Sequence, residues 1–354
     1  MTIYVFFAIF NIKSVPSRPF LSSVLYLASL YRSMTASQEP KVSVVVPVYG
    51  VEAYIGQCVR SLFSQTWDNC EFIFVDDGSP DNSIHILERI LTTEFPQLQS
   101  SVKVLHEPNS GLPCARMAGL AKAEGDYIIH VDSDDWVEPD YVRNLVEKAL
   151  DEDADVVYCD FYKEYPGKKH KVYREGDVDP ATGPVAAKCM HNSIIRGYMW
   201  NKLERRSLYD LQSMFVPVHG YHEDLVFQTQ TLSKARKVVH LEEPLYHYRR
   251  RRRGALTSSS LIKTRKESAE NMLKLYDALP KDSVSIRACG EDILLRGGWY
   301  GACILNIKLL RAHPEAMEKL LEMDYIRGCR VPVSKQRFTK FICRLIRRAD
   351  KKVS

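Results

Sequence analysis

The sequence predicts an α/β domain: a mostly parallel central sheet flanked by helices, with a helical extension at the C-terminal end. Three observations predict it. Apolar runs rich in Val and Ile recur between residues 41 and 161, and strands covered on both faces read that way. Between these runs, apolar residues recur at helical spacing. The connections are short, so strand and helix alternate as crossover units require.

KVSVVVPVY (41–49) is the first strand, and Ile55, Val59, Leu62 and Phe63 mark the helix after it. CEFIFVDDGS is a second strand that runs into acid and glycine, followed by a helix carrying Ile84, Leu87 and Leu91. VKVLHE (102–107) supplies a third strand and Gly111 to Lys122 a third helix. DYIIHVDSDDW is a fourth strand, VEPDYVRNLVEKAL the next helix and DVVYCDF (155–161) a fifth strand. The rhythm then breaks. Residues 163–183 are polar and carry Gly and Pro, as an excursion or hairpin would, and 181–250 show shorter elements without clear periodicity. From Leu261 the chain reads as helical to its end, and it contains no internal repeat.

With 354 residues, 45% of them apolar and 26% charged, the chain can bury one large core plus an extension. Its nine cysteines form no CxxC pair, which argues against a thiolate zinc site or a disulfide framework and for small buried residues in a reducing compartment. The formal charge of +5 hides an asymmetry: residues 335–352 carry a net +7 and the first 34 residues +3, so the rest is acidic. Basicity confined to the ends argues against a nucleic-acid-binding core. IYVFFAIF and FLSSVLYLASLY are each shorter than the roughly 20 residues a membrane-spanning helix needs. Residues 1–40 therefore read as an interfacial anchor, a targeting segment, or a stretch upstream of a start at Met34.

In an open sheet, ligands bind outside the carboxyl ends of parallel strands. Three groups fall there: Pro47-Val48-Tyr49, Asp76-Asp77-Gly78-Ser79 and Asp132-Ser133-Asp134-Asp135. A lone Asp after a strand is commonly a helix cap, and Asp81 and Asp135 have that reading. Two acidic clusters at the ends of neighbouring strands have another, because crowded carboxylates repel unless a cation compensates them. Asp132 and Asp134 are one residue apart, so in a turn both face one hard cation, Mn2+ or Mg2+, whose shell a ligand's phosphates complete. PVYGVEAY carries neither GxGxxG nor a Walker A sequence, which disfavours a dinucleotide oxidoreductase and a P-loop enzyme. A metal-bound diphosphate is the ligand class that remains.

In motif order, VSVVVPVYGVEAYIGQCVRSLFSQTW, FIFVDDGSPDNS, NSGLPCARMAGLAKAEGDYIIHVDSDDW, WNKLERR, HEDLVF and PLYHYRRRRRGALT resemble the family 2 glycosyltransferases, inverting enzymes with the GT-A fold. The combination is specific where a lone DxD is not. The resemblance implies a GT-A nucleotide-diphospho-sugar transferase domain over 41–257, of the bacterial surface-polysaccharide type, with 258–354 as the helical extension. It implies that Pro47, Tyr49, Asp76 and Asp77 surround the base and ribose of a nucleotide sugar. Asp132 and Asp134 resemble the DxD, with Asp134 the direct metal ligand and Asp132 serving donor and metal. Asp224, beside Glu223, stands where the family places its general base. His247 or Arg249 would touch the donor diphosphate, and Trp200, Lys202 and Glu223 would lie on the acceptor side. Gly50, where the family often has Asn, and Pro113, where it often has Ala or Gly, depart from the pattern without removing a carboxylate.

The implied reaction is attack of an acceptor hydroxyl on the anomeric carbon. Asp224 takes the proton, and the metal neutralises the departing nucleoside diphosphate. The expected partners are a UDP-sugar donor, a glycan or polyprenyl-linked glycan acceptor, and a second copy of the chain in a homodimer; no nucleic acid is expected. Two bland readings stay open: Arg249 to Arg253 as a solvated basic loop, and Trp200 as core. In FTKFICRLIRRADKK, Phe338, Phe341, Ile342, Leu345 and Ile346 share one helical face with basic residues largely outside it. Such a helix either packs on the core or lies on an anionic membrane, which would make the protein cytoplasmic and peripheral on the inner face of the cell membrane. Two rivals are weaker. A nucleotidyltransferase would carry a Gly-rich basic loop after the first strand, and a non-catalytic sugar-nucleotide or glycan-binding module would be expected to lack Asp134 or Asp224.

Overall fold

β1 (Val42–Val48) is buried along its whole length in the computed structural model, because both faces of the sheet are covered. Val42, Val44, Val46 and Val48 pack with α1 (Ile55–Phe63) and α2 (Ser83–Thr93) on one face, while Val45 packs with α3 (Leu112–Lys122) on the other. This two-sided burial is why the strand reads as an unbroken Val run. Gly119 of α3 lies so close to Val45 that any Cβ there would collide with it, so the helix reaches the sheet only as glycine.

The structure describes residues 39–178, 181–217, 220–250, 260–303, 306–322 and 343–344. Backbone contacts divide the chain into two units, Met1–Pro40 and Lys41–Ser354. The apolar stretches before residue 39, Arg251 to Arg253 and the basic tail apart from Cys343 and Arg344 lie outside the described residues. No helix among the described residues is long and apolar enough to cross a membrane.

β2 (Cys70–Asp76), β3 (Val102–His106) and β4 (Tyr127–His130) run parallel to β1 in the spatial order β3-β2-β1-β4. The order reverses at β1, which opens a crevice at the carboxyl ends of β1 and β4. Pro47 widens it. The Val48 carbonyl accepts from Asp77 on the β2 side and the Val45 carbonyl from Val131 on the β4 side, so alternation turns the Pro47 nitrogen towards β4. The β4 register ends at Val45↔His130, and the missing N–H therefore costs no ladder bond.

The other half of the sheet is mixed. β5 (Trp136–Val137) is followed by α4 (Tyr141–Glu152) and β6 (Val156–Glu164), and β7 (Lys171–Tyr173) folds back on β6 as the expected hairpin. β8 (Lys202–Arg205) lies antiparallel between β4 and β6, β9 (Val238–Arg249) runs parallel to β6, and β5 closes the far side antiparallel to β9. Residues 181–250, which show no periodicity, thus hold two strands, α5 (Gly183–His191) and α6 (Glu223–Leu232). β8 conceals itself because its buried Lys202 and Glu204 are polar. β9 does so because its pairing with β6 shifts register between Cys159 and Phe161.

α7 (Leu261–Ala278), α8 (Val284–Cys303), α9 (Ile307–Ala312) and α10 (Pro314–Glu322) form the helical extension. Met272, Leu275 and Ile293 share one apolar cluster with Val156, Tyr158, Met190 and Val226, so the extension is fused to the core around α5 and α6.

Candidate active site

The residues after β1 and β2 are tied into one ledge. The Gly50 amide donates to Ser79 Oγ at 2.8 Å, the Val51 amide to Ser83 Oγ at 3.0 Å and the Glu52 amide to Asp81 at 2.9 Å. Gly50 has φ +63°, a conformation Asn also tolerates, which accounts for the Gly-for-Asn departure. Asp81 also accepts from the Ser83 amide at 3.1 Å and anchors the start of α2, in keeping with its capping reading.

Asp76 and Asp77 have different surroundings. Asp77 is buried and accepts from the Ser110 and Gly111 amides at 2.7 and 3.0 Å, fixing the turn into α3. Asp76 is partly exposed, accepts from the Ser79 amide at 2.8 Å and faces His106 Nδ1 at 3.1 Å. Tyr49 stands half exposed just beyond β1, while Pro47 is buried within it. Pro113 occupies the first turn of α3, where its lacking N–H is tolerated.

After β4 the chain turns sharply, with the Asp135 amide donating to the Asp132 carbonyl at 3.0 Å. The turn brings one carboxylate oxygen each from Asp132, Asp134 and Asp135 within 4.8 Å of one another. Asp135 is more than a cap. It is buried and accepts from the Arg249 amide at 2.7 Å and from the Tyr246 hydroxyl at 3.0 Å; the Asp132 amide in turn donates to the Tyr246 oxygen at 3.1 Å. Burial, with the charges of Asp134 and Asp132, pushes the Asp135 carboxyl well above the usual carboxylate range.

β9 holds the turn from the side. Arg249 donates through Nε to the Asp134 carbonyl and through Nη2 to Gln57 Oε1, both at 2.8 Å, and its guanidinium lies over the rings of Tyr54 and Trp136. His247 is stacked between Trp136 and Tyr162, and its two nitrogens face Glu138 and Glu164, each at 2.8 Å. Both nitrogens are thus engaged away from the aspartate turn, which the β9 side chains Tyr246 and Arg249 reach instead.

Arg116, on α3, joins the two acidic regions and had no local sequence signal beyond a cation set among Ala115, Gly119 and Leu120. It is buried, and its Nη2 reaches Asp132 at 2.8 Å and Glu223 at 3.4 Å. Glu223 and Asp224 form the first turn of α6, where the helix dipole favours anions. Asp224 is partly exposed and accepts from the Leu225 amide at 2.7 Å. Burial raises both carboxyls; for Glu223 the neighbouring charge of Asp224 adds to this, while Arg116 opposes it in both.

The three residues expected on the acceptor side are all buried. Trp200 stacks between Tyr198 and Tyr246, at 4.5 and 4.3 Å, and so takes the core reading. Lys202 donates to the Arg196 and Tyr198 carbonyls and to Asn201 Oδ1, which uses all three of its protons. Glu223 turns inward to Arg116. All three side chains are thus packed against or bonded to protein groups.

Comparison with known proteins agrees with this architecture. Residues 43–218 match the family described as Glycosyl transferase family 2. The chain is 36% identical over 245 residues to the putative glycosyltransferase EpsH of Bacillus subtilis, a match covering 68% of each protein. It is 34% identical over 215 residues to the uncharacterized glycosyltransferase EpsJ of the same organism, covering 59% of this chain and 61% of EpsJ. Among solved structures, S. aureus TarS 1-349 in complex with UDP superposes with a TM-score of 0.61 at 18% identity, over 89% of this chain and 92% of that one. The mannosyltransferase PcManGT from Pyrobaculum calidifontis, in complex with GDP-Man and Mn2+, does so with a TM-score of 0.51 at 15% identity, over 94% of each. These likenesses show the GT-A fold, and the chain belongs to glycosyl transferase family 2, the inverting glycosyltransferases.

Proposed function

We propose that the protein transfers a sugar, with inversion, from a UDP-sugar to a hydroxyl of a glycan or polyprenyl-linked glycan, using Mn2+ or Mg2+. The observation that carries this reading is the link from the three-aspartate turn, through one buried arginine, Arg116, to Glu223, the residue directly before Asp224. A cluster of carboxylate oxygens within 4.8 Å, one carboxyl of which is raised by burial and by its neighbours' charge, fits a hard dication. Asp134 and Asp132 would hold it, and when bound it supplies charge for the departing diphosphate. TarS with bound UDP supports a uridine donor, and PcManGT with Mn2+ supports the ion.

The remaining roles belong to this chain's own side chains. Asp76 offers its exposed edge to the nucleoside, beside Tyr49, while Pro47 keeps the crevice open. Asp224, in the first turn of α6, accepts the proton of the attacking hydroxyl. Its raised carboxyl suits it to hold that proton once taken. Arg249 keeps the aspartate turn in place. The reading extends to a site of action at the cytoplasmic face of the cell membrane, supported by the basic residues 335–352 and by the lipid-linked acceptor.

The test is nucleoside diphosphate release from UDP-, GDP- and dTDP-sugars with membrane-extracted lipid glycans as acceptor. Acceptor-stimulated release from one UDP-sugar, dependent on Mn2+ or Mg2+ and lowered by roughly 10²–10⁴-fold in Asp224→Asn, is expected. Unchanged turnover in Asp224→Asn would remove the base assignment. Release that ignores a chelator would remove the metal.

A further inference from the structure

Three non-glycine residues among those described have positive φ: Asp153, Ser193 and His222. Asp153 and Ser193 follow helices, where a left-handed residue commonly ends the last turn. His222 instead precedes one, with φ +63° at the residue directly before Glu223 and Asp224. A histidine in that conformation persists only where its surroundings impose it.

The surroundings that impose it come from the helical extension. Ser268 Oγ, on α7, lies 3.0 Å from His222 Nδ1 and donates its own proton to the Thr264 carbonyl at 2.7 Å. The imidazole therefore carries its proton on Nδ1 and donates to Ser268. Asn271, one helical turn on, donates to the Tyr221 carbonyl at 3.0 Å. The His222 ring lies between Tyr221 at 4.5 Å and Tyr300 of α8 at 5.8 Å. Burial, with the charge of Arg296 on α8, pushes the imidazole down to about 3, so it stays neutral and keeps this one hydrogen-bonding pattern at physiological pH.

We infer that the helical extension is part of the catalytic apparatus: Ser268, Asn271 and Tyr300 hold His222 in its left-handed conformation, and His222 thereby sets where Asp224 stands. Ser268 and His222 are positioning residues, and the inference rests on the reading of Asp224 as the base. Residues more than 40 positions along the chain thus hold Tyr221 and His222, directly ahead of the first turn of α6. The conformation of residue 222 decides which way the carboxylate two residues later points.

The test uses the full chain. In Ser268→Ala, amide exchange over residues 221–226 should quicken at least tenfold while β1 and β2 keep wild-type exchange. The turnover number on whichever UDP-sugar the release assay selects should fall on the order of ten- to a hundred-fold, as misplacement of a catalytic group does. Affinity for UDP with Mn2+ should not change, and Ser268→Thr should restore both exchange and turnover. His222→Gly, which adopts positive φ freely but loses the imidazole contact, should behave as Ser268→Ala does and carries the test if that variant does not fold. Wild-type exchange and turnover in both variants would overturn the inference. Faster exchange with unchanged turnover would overturn it too, because the turn would then be held for folding alone. Asp224→Asn separates the two ideas: full turnover there removes the base, whereas a dead Asp224→Asn beside fully active Ser268→Ala and His222→Gly removes only the clamp.

Discussion

Arg116 shows how much one side chain decides. It is buried against two carboxylates, Asp132 and Glu223, and its own charge is retained because they surround it. Replacing it by Met leaves the buried Glu223 and the partly exposed Asp132 without their cation. Arg116→Met should lower stability by roughly 3–5 kcal/mol at neutral pH, measured by urea unfolding, as expected when one partner of a buried ion pair is removed. A loss below about 1 kcal/mol would mean that solvent or a rearranged neighbour replaces it. The same residue marks the limit of legibility at this scale. Asp76, Asp132 and Asp134 were visible because acids directly after apolar runs break a local pattern. Arg116 meets Glu223 across 107 positions of chain, a separation no local pattern records. Trp200 and Lys202 stood out by type, yet type alone does not tell a buried polar support from a ligand contact.

Among the elements, β1 and β2 are fastened by more than apolar packing. Glu71 of β2 is buried and accepts from Ser43 of β1 at 2.6 Å, from the Glu124 amide at 2.7 Å and from Lys103 of β3 at 3.0 Å, with Lys41 at 3.1 Å. Burial alone would raise this carboxyl, but these donors outweigh it and bring it down to about 2. Its folded value is depressed, so its stabilisation is fully present above the usual value of 4.5 and is lost as pH falls towards 2. Glu71→Gln should therefore cost roughly 2–3 kcal/mol at pH 7, and the gap to wild type should close progressively in unfolding titrations below about pH 4. A gap independent of pH would assign the loss to packing. The elements of this half were legible because strands and helices alternate with clean periods. In the other half α4, β6 and the hairpin to β7 were legible too, but β8 and β9 were not. β8 is a four-residue strand slotted between β4 and β6, and its partners, not its own sequence, place it there.

For the whole molecule, the expected ion and nucleotide act on stability by mass action. Mn2+ with UDP at a hundred times their dissociation constants should stabilise the fold by about 2.7 kcal/mol for each linked binding step, seen as a higher melting temperature. A chelator should reverse the rise, and Asp134→Asn should abolish the metal-dependent part. A melting temperature indifferent to Mn2+ in the wild type would argue against the aspartate turn as a cation site. The order of the strands carries one further consequence, for solubility. Among the described residues the sheet has nine strands, a large template for pairing with foreign chains, yet its margins are poor ones. β3 is five residues long with Lys103 inside it, β7 has three residues and begins with a lysine, and β5 has two. The outer side of β9 is met by Ala181 at Val238 and by β5 at Tyr246 and His247, and between them stand Glu242, Glu243 and Pro244. Short, charged and proline-broken margins give another strand little to extend, so the same bulge that hides β9 in the sequence also guards it against aggregation.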